Sequence, residues 1–204
     1  MHTWEESQAA FDAAARWFAA TVPGERDRWG LRALGVWTVR DLVGHTSRAL
    51  LTVESYLQEP QQAVDVTSAA DYLELALASV GDPQAVARRG REAGVTLGDD
   101  LVSSVRTLVD RVTALIADSG PEAVAVTPVG AMHLQHYLPT RTFELTVHTC
   151  DLATALDLPL SPPDLAAAHS LGLIAELALT SGQAPTLLLA STGRGPLPTG
   201  FSLL

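Results

Sequence analysis

The chain has a single cysteine, Cys150, and lacks any apolar run long enough to cross a membrane. One thiol excludes an internal disulfide framework. A membrane span needs about 18 uninterrupted apolar residues, and the nearest stretch, Leu165 to Leu179, is broken by His169 and Glu176. The first residues lack the basic-then-apolar order of a secretory leader. We therefore expect a cytoplasmic protein with no membrane partner.

Basic residues are also few. Thirteen of them against 23 acidic residues give a formal net charge of -10, so a nucleic-acid backbone is not expected as a partner. Apolar residues still make up 47% of the chain, which is too many for disorder. The 204 residues suffice for one domain with a substantial core. We expect a single domain over 1–204, with a core bundle at 1–158 and a C-terminal extension at 159–204.

Apolar residues recur at helical spacing along most of the chain, which is typical of an all-α protein. Thr38 followed by Asp41 resembles a capping box. Asp82-Pro83 resembles an N-cap with proline at the first helical position, directly after Gly81, which would close the preceding helix. These patterns predict helices at about 3–21, 38–57, 68–80, 82–93, 99–117 and 162–179.

The pattern changes in the middle of the chain. Residues 123–127 alternate weakly and are rich in small and β-branched side chains. Residues 128–130 can turn the chain, so that 131–137 would pair back as a second strand. The sequence thus predicts a short β-hairpin directly before a helix at about 138–156. Near the end, 186–190 fits a short helix or a strand equally well.

The helix predicted at 138–156 carries two polar faces. One face joins four residues spaced three or four apart, namely Arg141, Glu144, His148 and Asp151. Thr142, Thr146 and Thr149 lie nearly opposite. A simple surface helix needs only one polar face, so the threonine face is expected to meet water and the charged face to point inward. Inward charge requires a partner, such as a metal.

Glu144 and His148 are one helical turn apart and can reach a common point. Carboxylate and imidazole are both good ligands for zinc and similar divalent ions. A third ligand would have to come from elsewhere, and the candidate is His45, at the margin of the apolar stripe of the second helix. A half-buried histidine with one hydrogen bond would look the same in the sequence, so both interpretations stay open at this stage.

Two segments resemble a known family. They are Trp37-Thr38-Val39-Arg40-Asp41-Leu42-Val43-Gly44-His45 and Arg141-x-x-Glu144-x-x-x-His148-x-x-Asp151. Together they resemble the N-terminal domain of mycothiol-dependent maleylpyruvate isomerases, within the DinB-like superfamily of metal-binding four-helix bundles. The resemblance runs from the first helix to about Leu156 and extends to the segment from Gly193 to Phe201. It implies an all-α DinB-like four-helix bundle with additional helices.

The resemblance also implies a metal centre and a thiol cofactor. In that family the metal is usually zinc, held by two histidines and a glutamate, and these roles map onto His45, Glu144 and His148. The metal activates mycothiol, the low-molecular-weight thiol that replaces glutathione in actinobacteria, for attack on a small electrophile. The isomerases have a further C-terminal domain that helps close the active site, and this chain, which stops at Leu204, is expected to lack it.

Arg141 and Asp151 are the predicted catalytic and cofactor-binding residues. The planar guanidinium of Arg141 suits bidentate recognition of a carboxylate, although a salt bridge to Glu144 would equally occupy it. Asp151 can orient His148 as a hydrogen-bond acceptor or bind an amine or hydroxyl of the thiol cofactor. A solvated acid is the plain alternative for Asp151.

The remaining histidines and the cysteine receive simpler interpretations. His133 and His136 could line the pocket or bind substrate, but we favour a hairpin residue and a partly exposed one. His169 lies among alanines and is predicted to pack in the core. Cys150 lies on an apolar flank of the predicted helix and is expected to be a core residue rather than a ligand.

Three classes of function remain open on the sequence alone. The first is a metal- and mycothiol-dependent transferase or isomerase. The alternative is a bundle that binds a metal or small ligand without turnover, as a sensor or carrier. The third is a metal-free module that acts by association, against which the intact ligand set argues. Catalysis at an open site would require that water be excluded from it, and a second copy of the chain in a homodimer would cover the site.

Overall fold

A computed structural model describes residues 2–60, 62–79 and 83–204. This part of the chain is mostly helical with one hairpin, as predicted. The helices are α1 (Trp4–Thr21), α2 (Val39–Gln58), α3 (Ala69–Ser79), α4 (Pro83–Thr96), α5 (Leu101–Asp118), α6 (Leu134–Ala155), α7 (Asp164–Thr180) and α8 (Ala184–Ser191). The strands are β1 (Val124–Thr127) and β2 (Gly130–His133), and a 3-10 turn occupies Arg26–Arg28.

Side-chain caps fix where the first helices begin. The predicted capping box is confirmed at α2, where the Thr38 side chain accepts a hydrogen bond from the Asp41 amide and the Asp41 carboxylate accepts one from the Thr38 amide. Thr3 and Glu6 form the same arrangement at α1. These bonds satisfy amides that the helix itself leaves free. Gly81 and Asp82, predicted to end one helix and cap the next, lie outside the described residues.

Four helices form the bundle. α1 packs against α5 and α6, and α2 packs against the same two helices, so the four close into a ring. Its interior is filled by large apolar side chains with almost no solvent exposure, among them Phe11, Phe18, Leu42, Leu50, Leu101, Leu145 and Leu152. α3 and α7 cover α6, and α4 lies along α2. None of the helices in the described part is both long and apolar enough to serve as a membrane span.

α4 approaches α2 at unusually short range. A Cβ atom added to Gly44 of α2 would lie 2.1 Å from the backbone nitrogen of Gly94 and 2.5 Å from the carbonyl oxygen of Gly90. Only glycine permits this approach of two helix backbones. Because Gly44 directly precedes His45, the same contact brings α4 beside the candidate metal centre.

The hairpin is shorter than predicted. β1 and β2 pair antiparallel from Val124 opposite His133 to Thr127 opposite Gly130. The prediction that the second strand continues to 137 is wrong, because α6 begins at Leu134 and includes Pro139. Leu134, Tyr137 and Leu138 are all fully buried at helical spacing. Their burial outweighs the one backbone hydrogen bond that proline removes.

The threonine face of α6 is buried, so the prediction that it meets water is wrong. Thr142, Thr146 and Thr149 are at most 5% exposed. Each hydroxyl donates to the backbone carbonyl four residues earlier, at 3.2, 2.7 and 2.6 Å respectively. A hydroxyl satisfied within its own helix leaves only a methyl group to pack. α6 is therefore a central helix rather than a surface one.

Candidate metal centre

His45 from α2 and the pair Glu144 and His148 from α6 converge at one point. One ligand atom from each of the three lies within 4.8 Å of the other two. All three side chains are half-buried. Within the described ranges this is the one cluster of histidine and acidic side chains compact enough to hold a metal ion.

The two ligands on α6 already have the separation that a shared ion requires. Nε2 of His148 lies 3.3 Å from Oε2 of Glu144. Tetrahedral bonds of about 2.0–2.1 Å to zinc place two ligand atoms roughly 3.3–3.4 Å apart. On the other side of the ring, Nδ1 of His148 lies 3.0 Å from Oδ2 of Asp151. The Nδ1–H can donate a hydrogen bond to this carboxylate, which leaves Nε2 as the nitrogen available to a metal.

His45 is held in a different way. Its ring lies between the indole of Trp37, with centroids 4.4 Å apart, and the ring of His148, at 4.8 Å. Its Nδ1 is fully buried and has no hydrogen-bond partner among the described residues. The alternative prediction, that His45 is a half-buried histidine with one hydrogen bond, is therefore wrong. A buried nitrogen without a hydrogen-bond partner destabilises the fold, and a metal ion bound to that nitrogen would relieve that cost. Two imidazoles and one carboxylate suit a borderline ion such as zinc.

The charges at the cluster are strongly coupled. Burial opposes the charged form of His148, but its hydrogen bonds to Asp151 and Glu144 outweigh burial and raise its pKa to about 9. Burial and the nearby charge of His148 lower the pKa of His45 to about 4. Burial would raise the pKa of Glu144, yet the hydrogen bond from His148 and the charge of Arg141 lower it to about 2. Without a metal at neutral pH, the His148 ring is therefore the protonated, cationic histidine of the cluster, while the His45 ring is neutral and Glu144 is ionised.

Arg141 lines the same cavity as Glu144 and His148, but it forms no salt bridge with Glu144. It is 8% exposed and forms no ion pair with a described residue, so the predicted alternative of a salt bridge is wrong. Its guanidinium carbon lies 5.5 Å from the ring centroid of Tyr72 and 5.0 Å from that of Tyr137. Its Nε donates to the Thr140 hydroxyl at 3.0 Å. Two aromatic faces therefore stabilise a buried cation.

A cavity of about 400 Å³ opens onto the cluster. Its cationic wall consists of Arg48, Arg89 and Arg141, and Tyr56 and Tyr72 add aromatic surface. Apolar side chains from α3 and α4 complete the walls. This volume suits a small organic ligand, and the three guanidinium groups favour an anionic one.

The other candidate residues lie away from this cavity. His133 ends the hairpin and contacts Glu122, with Nδ1 3.0 Å from its carbonyl oxygen. His136 lies on α6 and lines a separate cavity together with His169. His169 is 3% exposed, as expected of a core residue, and stacks on His2. Cys150 is half-buried rather than a core residue, and burial raises the pKa of its thiol.

The sequence did not predict several residues that line or support the site. Arg48 follows His45 by three positions, so its place on the same helix face was available from spacing. Tyr72 and Arg89 come from α3 and α4, and no pattern in the sequence links those helices to the site. Trp37 belongs to the segment from Trp37 to His45 that resembles the family, but its contact with the His45 ring depends on the fold.

A comparison with known protein families matches residues 8–153 to the mycothiol maleylpyruvate isomerase N-terminal domain. Comparisons with curated proteins and with solved structures found no match. The matched segment covers well over half of the chain and contains His45, Arg141, Glu144, His148 and Asp151. The chain therefore belongs to the mycothiol maleylpyruvate isomerase N-terminal domain family.

Proposed function

We propose that this protein binds a divalent metal ion, for which zinc is our first candidate, through His45, Glu144 and His148. We also propose that it is a mycothiol-dependent transferase or isomerase. The observation that carries the proposal is the convergence of three ligand atoms from α2 and α6 within 4.8 Å. Membership of a mycothiol-related family supports the choice of thiol.

Three protein ligands leave one position open, which is the mark of a catalytic rather than a structural zinc site. A divalent metal held there would lower the pKa of a bound thiol, and the resulting thiolate would be the nucleophile. Asp151 holds the His148 ring in the orientation that presents Nε2. Glu144 stays ionised because His148 and Arg141 are close.

The sulfur of mycothiol forms a bond to the electrophilic carbon of the substrate. In a transferase the bond to a leaving group breaks and the electron pair leaves with that group. In an isomerase the thiolate would add to a conjugated double bond and the electron pair would move to the conjugated carbonyl oxygen. After rotation about the resulting single bond, the pair would return, re-form the double bond and expel the thiolate. Arg141 lines the cavity beside Glu144 and supplies positive charge for the oxygen that becomes negative.

We propose that the electrophile is a small anion. The guanidinium groups of Arg48, Arg89 and Arg141 line a cavity of about 400 Å³, and an arginine fork binds a carboxylate through two parallel hydrogen bonds. Among these three, Arg141 is buried and has no carboxylate partner in the described structure. A substrate carboxylate would provide that partner.

Metal analysis tests the centre itself. Protein purified without a histidine tag and loaded with zinc should hold about one ion per chain, whereas the His148→Ala variant should hold little. His133→Ala is the matched control, because His133 lies outside the cavity and its side chain bonds to Glu122. Equal metal content in the His148→Ala variant and the unmodified protein would contradict the proposal.

Turnover is tested next, with the zinc-loaded protein. Mycothiol and a panel of carboxylated enones and halides should give a rate that needs both thiol and metal. The methyl esters of the same compounds should react more slowly. A protein that binds zinc but shows no thiol-dependent rate across the panel would favour the alternative, a sensor or carrier without turnover.

A further inference from the structure

The two histidines of the candidate metal centre are held by different means. The His148 ring is fixed by its hydrogen bond to Asp151 at 3.0 Å. Neither nitrogen of the His45 ring makes a hydrogen bond with a described residue, so whichever of the two binds the metal, the other has no such partner. A metal-binding histidine almost always donates its second N–H to a carboxylate, a carbonyl or water, which fixes the ring plane. Something else must therefore set the plane of the His45 ring.

The indole of Trp37 is placed to do so. It lies across the His45 ring with centroids 4.4 Å apart and an angle of 32° between the planes. Trp37 is only 8% exposed. The final torsion of a histidine side chain is soft, with a broad distribution of angles. A flat group packed against one face limits that rotation without forming a hydrogen bond.

Trp37 is itself fixed by α4. Its Nε1–H donates to the carbonyl of Ala87 at 3.1 Å. A Cβ atom added to Gly90 would lie 3.1 Å from the indole ring, so the backbone of α4 lies directly against the indole. The indole is thus held between the backbone of α4 and the imidazole of His45. α4 also carries Val86 and Arg89 on the cavity wall.

We infer that Trp37 is a positioning residue, which sets the plane of the His45 imidazole for metal binding in place of the usual hydrogen bond. The inference rests on the proposed metal centre. It assigns to Trp37 the role toward His45 that Asp151 has toward His148. It also makes α4 part of the metal site, because the orientation of the indole depends on the α4 backbone.

The test compares four variants by two measurements. Trp37→Met keeps apolar bulk but removes the flat face, and Trp37→Phe keeps a smaller flat face. Trp29→Met and Trp29→Phe are the matched controls, since Trp29 is also 8% exposed and its Nε1 also donates to a backbone carbonyl at 3.1 Å, that of Pro23. Unlike Trp37, Trp29 has no ring contact with His45 in the described structure. The measurements are zinc affinity by chelator competition and the visible absorption spectrum of bound Co²⁺, which reports ligand geometry.

Trp37→Met should weaken zinc binding about 10- to 100-fold, as loss of an outer-shell partner does, and should change the Co²⁺ spectrum. Trp37→Phe should show a smaller loss, roughly threefold or more, with a spectrum close to that of the unmodified protein. The Trp29 variants should keep both affinity and spectrum even where they lower the melting temperature.

Unchanged affinity and spectrum in the Trp37 variants, or equal losses in the Trp29 variants, would overturn the inference. If Trp37→Met does not fold, the comparison of Trp37→Phe with Trp29→Phe decides, because equal affinities there also overturn it. Absence of metal from the unmodified protein would instead overturn the proposed function and the inference with it, so the two failures are distinguishable.

Discussion

Asp151 shows how a single residue can be placed from the sequence while its partner is found only in the structure. Its position three residues after His148 put both side chains on one helix face. A hydrogen bond between them, a bond to a cofactor and full solvation were all compatible with that spacing. The structure contains the hydrogen bond, at 3.0 Å, on a half-buried carboxylate. Roles of Asp151 and Arg141 in binding the thiol cofactor stay predictions.

Replacing Asp151 by Asn should weaken zinc binding by about tenfold or more, because an amide orients and polarises the imidazole less than a carboxylate does. The pKa of His148 should fall as well, since the Asp151 carboxylate helps to raise it. Chelator competition measures the affinity, and NMR titration of the metal-free protein measures the pKa. Asp157→Asn is the control: Asp157 is exposed and has a positive φ of 53°, which Asn tolerates. Equal affinities in the two variants would show that Asp151 does not support His148.

Arg141 illustrates the limit of spacing arguments at the residue scale. Its inward direction followed from the helix face that it shares with Glu144. The two rings that flank it did not follow: Tyr72 belongs to another helix, and Tyr137 lay in what the sequence suggested was a strand. One displaced helix boundary therefore concealed a contact one turn away along the same helix.

Among the elements, the contact between α2 and α4 decides the shape of the site. Gly44 and Gly94 allow the two backbones to approach, and Gly90 leaves room for the indole of Trp37. Glycine lowers the stability of a helix by about 0.5–1 kcal/mol relative to alanine, so three of them in these helices favour a role in packing. The approach brings Arg89 to the cavity wall and the α4 backbone to the indole of Trp37.

Gly44→Ala should therefore destabilise the protein by about 1–3 kcal/mol, the usual range for overpacking a tight contact. Gly172→Ala is the matched control, because Gly172 also lies inside a helix and an added Cβ would meet its nearest atom at 3.8 Å. That variant should be more stable by about 0.5–1 kcal/mol. Thermal unfolding should thus move in opposite directions for the two variants. A Gly44→Ala protein as stable as the Gly172→Ala protein would contradict the close approach of α4.

For the whole molecule, the candidate metal centre joins parts of the chain that are far apart in sequence. His45 lies in the second helix of the bundle and His148 near the end of α6. A ligand that binds only the folded state adds its binding free energy to the stability of that state. The metal should therefore stabilise the entire bundle rather than one helix pair. The predicted division at 158, the homodimer and the cytoplasmic location stay predictions.

Zinc at a free concentration 100 times its dissociation constant should stabilise the protein by about 2.7 kcal/mol, which corresponds to a rise of roughly 5–10 °C in melting temperature. At one fixed free zinc concentration, the rise in melting temperature should increase with pH. The pKa of His148 in the metal-free fold is about 9, so its stabilising proton is fully bound below its unfolded pKa near 6.5 and is lost as the pH rises through 9. Raising the pH therefore weakens the metal-free fold and removes the proton that competes with zinc.

Calorimetric scans at pH 6.5 and pH 8.5, with zinc and with chelator, measure this difference. The His148→Ala variant should show no zinc-dependent rise at either pH. A rise that shrinks with increasing pH would contradict the displacement of a proton from His148.

The sequence by itself determined the helical class, the hairpin, the capping box at Thr38 and the family, because each rests on local spacing or on a contiguous motif. It also placed Glu144 and His148 on one face of one helix. Only the tertiary structure decided that His45 meets them, that the threonine face of α6 is buried, and that Trp37, Tyr72 and Arg89 surround the site. These features depend on how separate helices pack, and the side-chain periodicity of one helix carries no information about which neighbour will cover it.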